Sequence, residues 1–166
     1  MESMSQLSDL IIELSKPTDK PDDQLTKICI AIEALIPDAH RVSIWRFDDN
    51  KTCIRCLKCY EKISKHFSAG QVLTRKECPC YFEEILLNGL VVADNAQEHP
   101  QTQCFTDDYF SLHNIRSVLD CIVETNFKPT GIICCESVNV VNNWEKSDIE
   151  MIKRIANMTS LFFERY

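Results

Sequence analysis

The chain has 166 residues, 45% of them hydrophobic and 26% charged, and a formal net charge of −7, which fits one globular domain with a substantial apolar core. An acidic chain without a run of Lys or Arg repels a phosphate backbone, so no nucleic acid partner is expected. With only 3 glycines a glycine-rich phosphate loop is excluded, and no apolar run approaches the ~18–20 residues needed for direct membrane insertion.

The first residues, "MESMSQLSDL", show no basic stretch ahead of an apolar one, so no export signal is visible. Ten cysteines in such a chain point to a reducing, cytoplasmic setting and free thiols, not a disulfide framework. "LSDLIIEL" places Leu7, Leu10, Ile11 and Leu14 at helical spacing, and "SKPTDKPDD" breaks that helix. Residues 1–20 therefore read as an N-terminal helix and linker. A second helix opens at Pro21, with Asp22 and Asp23 suited to its first turn. Its stripe is Leu25, Ile28, Cys29, Ile32, Leu35 and Ile36, and Pro37 ends it.

"RVSIWRF" (41–47) and "TCIRCLKCY" (52–60) flank the turn signal "DDNK" and predict a β-hairpin. A polar loop follows. "CPCYFEEILLNG" predicts a helix, with Pro79 in its first turn and Gly89 at its C-terminal cap. "LVVAD" (90–94) reads as a short buried strand, and the next segment has no strand pattern but one short helix after Thr106. "RSVLDCIVE" and "TGIICCESV" form a second hairpin around "TNFKP". A long helix then starts near Ser147 and still reads as helix at Tyr166. The order gives an α+β fold, an antiparallel sheet with helices packed on it.

The C-x-x-C-x-x-C stretch at 53–59 raises the question of a metal. Strand alternation points Cys53 and Cys59 one way and Cys56 the other, so the three cannot share an ion. The bacterial cluster pattern also fails at its fourth slot, which Ile63 occupies. Neither a metal nor an iron–sulfur cluster is expected. Cys78, in "CPC" at a helix start, is the candidate reactive thiol, beside a plain capping and packing role. Cys134 and Cys135 face opposite sides of a strand. No catalytic constellation can be assembled, since the nucleophile elbow, P-loop and paired-histidine patterns are all missing.

On the strand from Arg116, the positions Arg116, Val118, Asp120 and Ile122 share a face, and Glu136 shares one with Ile132 and Cys134 on the next. A register that pairs residues near 120 with those near 136 brings Asp120 and Glu136 together, with Arg116 beside them. Acids inside an apolar strand are costly unless paired or bound to something. An internal ion pair and a ligand contact both satisfy that condition.

"RVSIWRFDDN", "VVADNAQEHPQTQCFTDDYF", "IRSVLDCIV", "TGIICCESV" and the Trp144–Ser147–Asp148 approach to a final helix together resemble a GAF domain over about residues 22–165. The likeness is to GAF sensor modules of bacterial signalling proteins, often found ahead of histidine kinase or diguanylate cyclase domains. It implies a GAF-like (profilin-like) sheet of five to six strands, with the terminal helices on one face and a ligand cavity on the other. Residues 21–166 would form that domain. Segments 62–88 and 95–115 would roof the cavity and the strands at 90–94, 116–124 and 130–137 would floor it. Phe105, Tyr109, Arg116, Asp120 and Glu136 are the implied lining residues, with Cys104 and His113 as further candidates.

The chain departs from several branches of the family. Leu112 stands before His113 where bilin-binding relatives carry their anchor cysteine, and "TQCF" has Thr102 where the alternative motif has Asp. A bilin is not expected. The cyclic-nucleotide motif and the Gly-rich cysteine stretch of free methionine-R-sulfoxide reductases are absent too.

The resulting expectation is a non-catalytic sensor domain that binds an unidentified small ligand and controls a downstream signalling output. Ile149, Ile152, Ala156, Thr159 and Phe163 approximate a heptad stripe, and Leu7, Leu10 and Leu14 offer a second. They predict a homodimer through the terminal helices, the alternative being that both stripes pack on the chain's own sheet. A final helix continuing into a further effector domain is the matching expectation. Two other readings stay open: a thiol-based redox sensor or reductase using Cys78, Cys80 or Cys104, and a degenerate GAF scaffold that only dimerises.

Overall fold

Strands β1 (Arg41–Phe47) and β7 (Lys128–Val138) pair antiparallel at the centre of the sheet, and both are buried on their two faces. The computed structural model describes every residue except Met1, Thr18 and Asp19, and only the backbone of Glu2, Ser3 and Arg165. Outward from the centre come β2 (Cys53–Glu61) and β3 (His66–Ser68) on one side, and β6 (Ile115–Thr125) and β5 (Leu90–Ala93) on the other. A further strand, β4 (Val72–Thr74), pairs with the start of β2. Every pairing is antiparallel. The sheet thus has seven strands, not five to six. The two extra ones lie in the polar loop after β2 and are three residues each, too short to show a period in sequence.

Alternation along the central strands divides the interior in two. Val42 and Ile44 of β1 and Ile133 and Cys135 of β7 face helices α1 (Glu2–Ser15), α2 (Pro21–Leu35) and α5 (Lys146–Ser160). Trp45, Phe47, Ile132 and Cys134 face α3 (Pro79–Asn88) and the irregular segment 103–113. The terminal helices lie together on one face of the sheet, as expected.

Local chemistry sets the helix ends. Pro21 and Pro79 occupy first turns, where a missing N–H costs nothing. Gly89 closes α3 at φ 71, and its N–H donates to the Ile85 carbonyl at 3.0 Å. Glu145 opens α5 with a reciprocal cap, its own N–H donating to Asp148 Oδ2 at 3.0 Å. Among the described residues, no helix is long and apolar enough to cross a membrane.

Two expectations are corrected here. The last α-helix ends at Ser160, and the chain turns into a short 3-10 segment, Phe163–Arg165. Phe163 is fully buried, and Ile152, Ala156, Thr159, Leu7, Leu10 and Leu14 are buried with it. The two stripes read as a dimer seam are therefore consumed by the chain's own core.

The second correction concerns the cysteines of β2. The β1–β2 register slips between Ile44, opposite Lys58, and Trp45, opposite Cys56, so that Leu57 is an extra residue. Alternation restarts one step late. Cys56 and Cys59 consequently share the face that packs with Trp45, while Leu57 and Tyr60 pack with the helices. Cys53, next to Ile54, stays on the opposite face. Among the described residues no group of three or more His, Cys, Asp or Glu could hold a metal ion.

Gly131 is what lets the C-terminal turn close. A Cβ there would meet the Trp45 carbonyl oxygen at 2.5 Å and Phe163 Cε1 at 2.6 Å. Arg46 completes the seat, its guanidinium 5.6 Å from the Phe163 ring centre and its Nη1 donating to the Phe163 carbonyl at 3.4 Å. We expect Gly131→Ala to lower unfolding stability by about 1–3 kcal/mol through overpacking, measured by chemical denaturation, with Phe163→Ala partly relieving the clash in the double variant.

Candidate functional site

The site grows from one strand pairing. Arg41 and Glu136 are direct partners across β1 and β7, so both side chains leave the sheet on the same face. Both are buried. Arg41 Nη1 donates to Glu136 Oε2 at 3.1 Å and to the Tyr109 hydroxyl at 2.6 Å, and its Nε donates to Glu61 Oε1 at 3.3 Å. Tyr109 in turn hydrogen-bonds Glu136, and its ring lies 5.3 Å from the guanidinium carbon. Burial pushes the Glu136 carboxyl above its ordinary range, and the charge of Arg41 opposes that rise.

Asp120 stands opposite Cys134 on the β6–β7 pair, and Val118 stands opposite Glu136. The two acids are therefore diagonal neighbours two positions apart in register. Tyr81 of α3 donates its hydroxyl to Asp120 Oδ2 at 2.5 Å. Cys134 has one S–H for two nearby carboxylates, and it donates to Glu136 Oε1 at 3.5 Å. Asp120 Oδ1 is left buried without a hydrogen-bond partner. Burial, aided by the nearby Glu136 charge and opposed by the hydrogen-bonding groups of Cys134 and Tyr81, raises the Asp120 pKa from 3.8 to about 7. Burial likewise pushes Tyr81, Tyr109 and Cys134 well above their ordinary values, so all three are neutral.

Around these groups Trp45, Ile54, Leu73, Phe105, Phe110 and Val118 form an apolar wall. The rings meet edge to face, Tyr81 with Phe105 at 5.1 Å and Phe105 with Phe110 at 5.7 Å between centres. The enclosed cavity measures about 20 Å³, which is room for about one water molecule. A wider cleft of about 290 Å³ lies outside, lined in part by His40, Arg41, Glu61 and His113.

The roof is a helical stretch of changing pitch. It begins as a 3-10 turn (Gln103–Phe105), widens to a π turn (Thr106–Phe110), tightens to one α turn, α4 (Ser111–His113), and stops at Asn114 with φ 53. Thr102 anchors its start by donating to the Ala96 carbonyl at 2.7 Å. Cys104 adds a covalent tie, a disulfide to Cys78, the residue that caps α3. This corrects the expectation of free thiols. Cys78, the candidate reactive thiol, is buried and bonded, and the exposed thiol of "CPC" is Cys80.

The structure thus brings Phe105, Tyr109, Asp120 and Glu136 to one cavity. Arg116 does not join them. An irregularity between Ile115 and Ser117 turns it out to solvent, where it donates to Gln97 Oε1 at 3.3 Å. Arg41 takes the place expected of it. Cys104 lies on the outside of the roof, and His113 lines the outer cleft with its ring 5.2 Å from that of Tyr109. Burial and the nearby Arg41 charge push the His113 pKa below its usual value. Sequence reasoning missed Arg41, Tyr81 and Trp45. The available signal was a cation and an indole inside the apolar strand "RVSIWRF".

No protein-family model matches the chain, and no curated protein matches it. Solved structures do, at high coverage and low identity. The GAF domain of an Acinetobacter phosphoenolpyruvate-protein phosphotransferase superposes with a TM-score of 0.77 at 12% identity, over 99% of this chain and 93% of that one. The fold is that of a GAF domain. A methyl-accepting chemotaxis protein segment, residues 122 to 287, matches this GAF fold with a TM-score of 0.75 at 16% identity, over 94% and 95% of the two chains. Free methionine-R-sulfoxide reductase from Neisseria meningitidis, solved with its substrate, matches with a TM-score of 0.69 at 13% identity, over 98% and 88%. The GAF fold therefore occurs here among proteins of signalling and of catalysis alike.

Asp120 makes the stability of this fold depend on pH in a defined direction. The folded chain holds its proton up to about pH 7, whereas the unfolded chain releases it near 3.8. Folding takes up a proton between those limits, so the contribution is full at the acid end and is lost as pH rises through the window. We expect Asp120→Asn to flatten the decline between about pH 4 and 7 and to stabilise by ~1–4 kcal/mol near pH 8. Denaturant midpoints across pH measure it, and Glu136 leaves a residual slope of the same sign.

Proposed function

We propose that this GAF domain is a non-catalytic regulatory module that binds a small ligand in the cavity beneath Thr102–Phe110 and passes occupancy on to a signalling output. The observation that carries this reading is the Asp120 Oδ1 oxygen, buried and unpartnered inside an aromatic wall. A buried acceptor without a donor costs about 1–3 kcal/mol, and a bound donor would remove that cost. A ligand larger than water enters only when the roof lifts. Its binding therefore favours the lifted state by the difference in affinity between the two. The likeness to the GAF domain of a phosphotransferase and to a segment of a methyl-accepting chemotaxis protein supports a signalling role. Output through a histidine kinase or diguanylate cyclase partner, and a homodimer using the exposed Ile11, Ile12 and Ile30, complete the proposal.

A fragment screen followed by NMR tests it, with the Trp45 indole as reporter. Binding that moves the Trp45 signal, and is lost when Val118→Phe fills the cavity, is the expected outcome. If no fragment moves that signal, the cavity is closed to ligands and the domain is a scaffold.

The Cys78–Cys104 disulfide favours a second reading, thiol-based redox control of the same roof. Forming that bond removes two protons and two electrons from the thiol pair, delivered to an oxidant such as a disulfide. A dithiol reductant reverses it. We expect dithiothreitol to speed amide hydrogen exchange across residues 102–110, and Cys104→Ser to show the faster exchange without reductant. Equal exchange in oxidised and reduced protein would remove the redox role.

A further inference from the structure

The charges under the roof do not balance. Arg41 and Glu136 neutralise one another at 3.1 Å, and Tyr81, Tyr109 and Cys134 are neutral. Asp120 remains. Its Oδ2 accepts from Tyr81, its Oδ1 has no hydrogen-bond partner, and the neighbouring Cys134 thiol donates to Glu136 Oε1 instead. The other groups that line the cavity are a threonine hydroxyl, already donating to a backbone carbonyl, and apolar side chains. An ionised carboxylate in such surroundings needs a counter-charge or a proton.

The space available also selects. At about 20 Å³ it matches a group of roughly one water's size, which an ammonium head is and a carboxylate or phosphate is not. An anion would further meet the Asp120 carboxylate, which lacks a counter-charge, at close range, where like charges repel. Trp45, Phe105, Tyr109 and Phe110 present rings on the same cavity, and aromatic faces attract cations and apolar bodies together.

We infer that the cavity takes a small primary amine in its ammonium form, the head donating to Asp120 Oδ1 in the water-sized space and a compact apolar body lying against the aromatic wall where the roof lifts. This rests on the cavity reading above and narrows it to one ligand chemistry. Arg41 then acts as the negative selector, because its ion pair with Glu136 leaves Asp120 as the single acceptor that the closed cavity offers unpaired among the described residues.

The test compares three probes of one chain length at a pH near 8 and constant ionic strength: n-butylammonium chloride, n-butanol and sodium butyrate. Melting temperature and the Trp45 indole signal are followed on the full chain. Saturable binding of n-butylammonium alone, weakened at least about tenfold in Asp120→Asn, is the expected result. Butanol or butyrate binding as tightly would overturn the amine while leaving the cavity intact as a ligand site. Unchanged binding of n-butylammonium to Asp120→Asn would overturn it in the same way. Should none of the three move the Trp45 signal, the amine is again rejected, and the fragment screen then decides separately whether the cavity binds anything. If Asp120→Asn does not fold, the comparison of the three probes on the unaltered chain still decides.

Discussion

Arg41 and Glu136 lie opposite one another on adjacent central strands, 95 residues apart in sequence, and the cavity side of the molecule is organised around their ion pair. Two charges buried together are costly to desolvate, and they persist only where geometry and extra hydrogen bonds repay that cost. Here Tyr109 and Glu61 supply the extra bonds. The pair is thus tied at once to the roof, through Tyr109, and to the neighbouring strand β2, through Glu61. A one-residue slip between β1 and β7 would send either group to the helical face, so the central register is fixed by charge as well as by hydrophobic alternation.

The two faces of the sheet are built to different specifications. The helical face is a dry aliphatic core of Leu, Ile and Val closed by Phe163, and it uses up the apolar stripes of both terminal helices. The opposite face carries the Arg41–Glu136 ion pair, Asp120, a cluster of aromatic rings and the irregular backbone. Rigidity on one side holds the strands that position Arg41, Asp120 and Glu136 on the other. The roof, by contrast, consists of single turns with few partners of their own, the part of a fold where low local stability and function tend to coincide.

Much of this is readable in the chain. Pro79 and Gly89 bracket α3 at its observed limits, and the hairpins fall where alternation and turn residues place them. The departures share a physical origin. Perfect period two, carried through Cys53, Cys56 and Cys59 and through Arg116, assigns each side chain a face that an irregularity in register then reverses. Bulges leave no compositional mark here, so side-chain direction fails while strand existence holds. Arg41 escapes notice in sequence because its importance comes from a partner 95 positions away. The last helix overruns because Phe163 keeps helical spacing, and what turns the chain is the groove above Gly131. The Cys78–Cys104 bond is invisible to reasoning from compartment, because it depends on the roof folding back over the start of α3.

The π turn at Thr106–Phe110 gives the roof a property that a regular helix lacks. Such a turn carries one residue more than the α turn that follows it. Passing that surplus residue along the segment would swap one set of bonds for another and swing the side chains it passes by about 100°. Tyr109 sits within that stretch, holding Arg41 by its hydroxyl. The lid above Asp120 therefore has a way to rotate its latch aside by renumbering its own ladder, with no need to unravel.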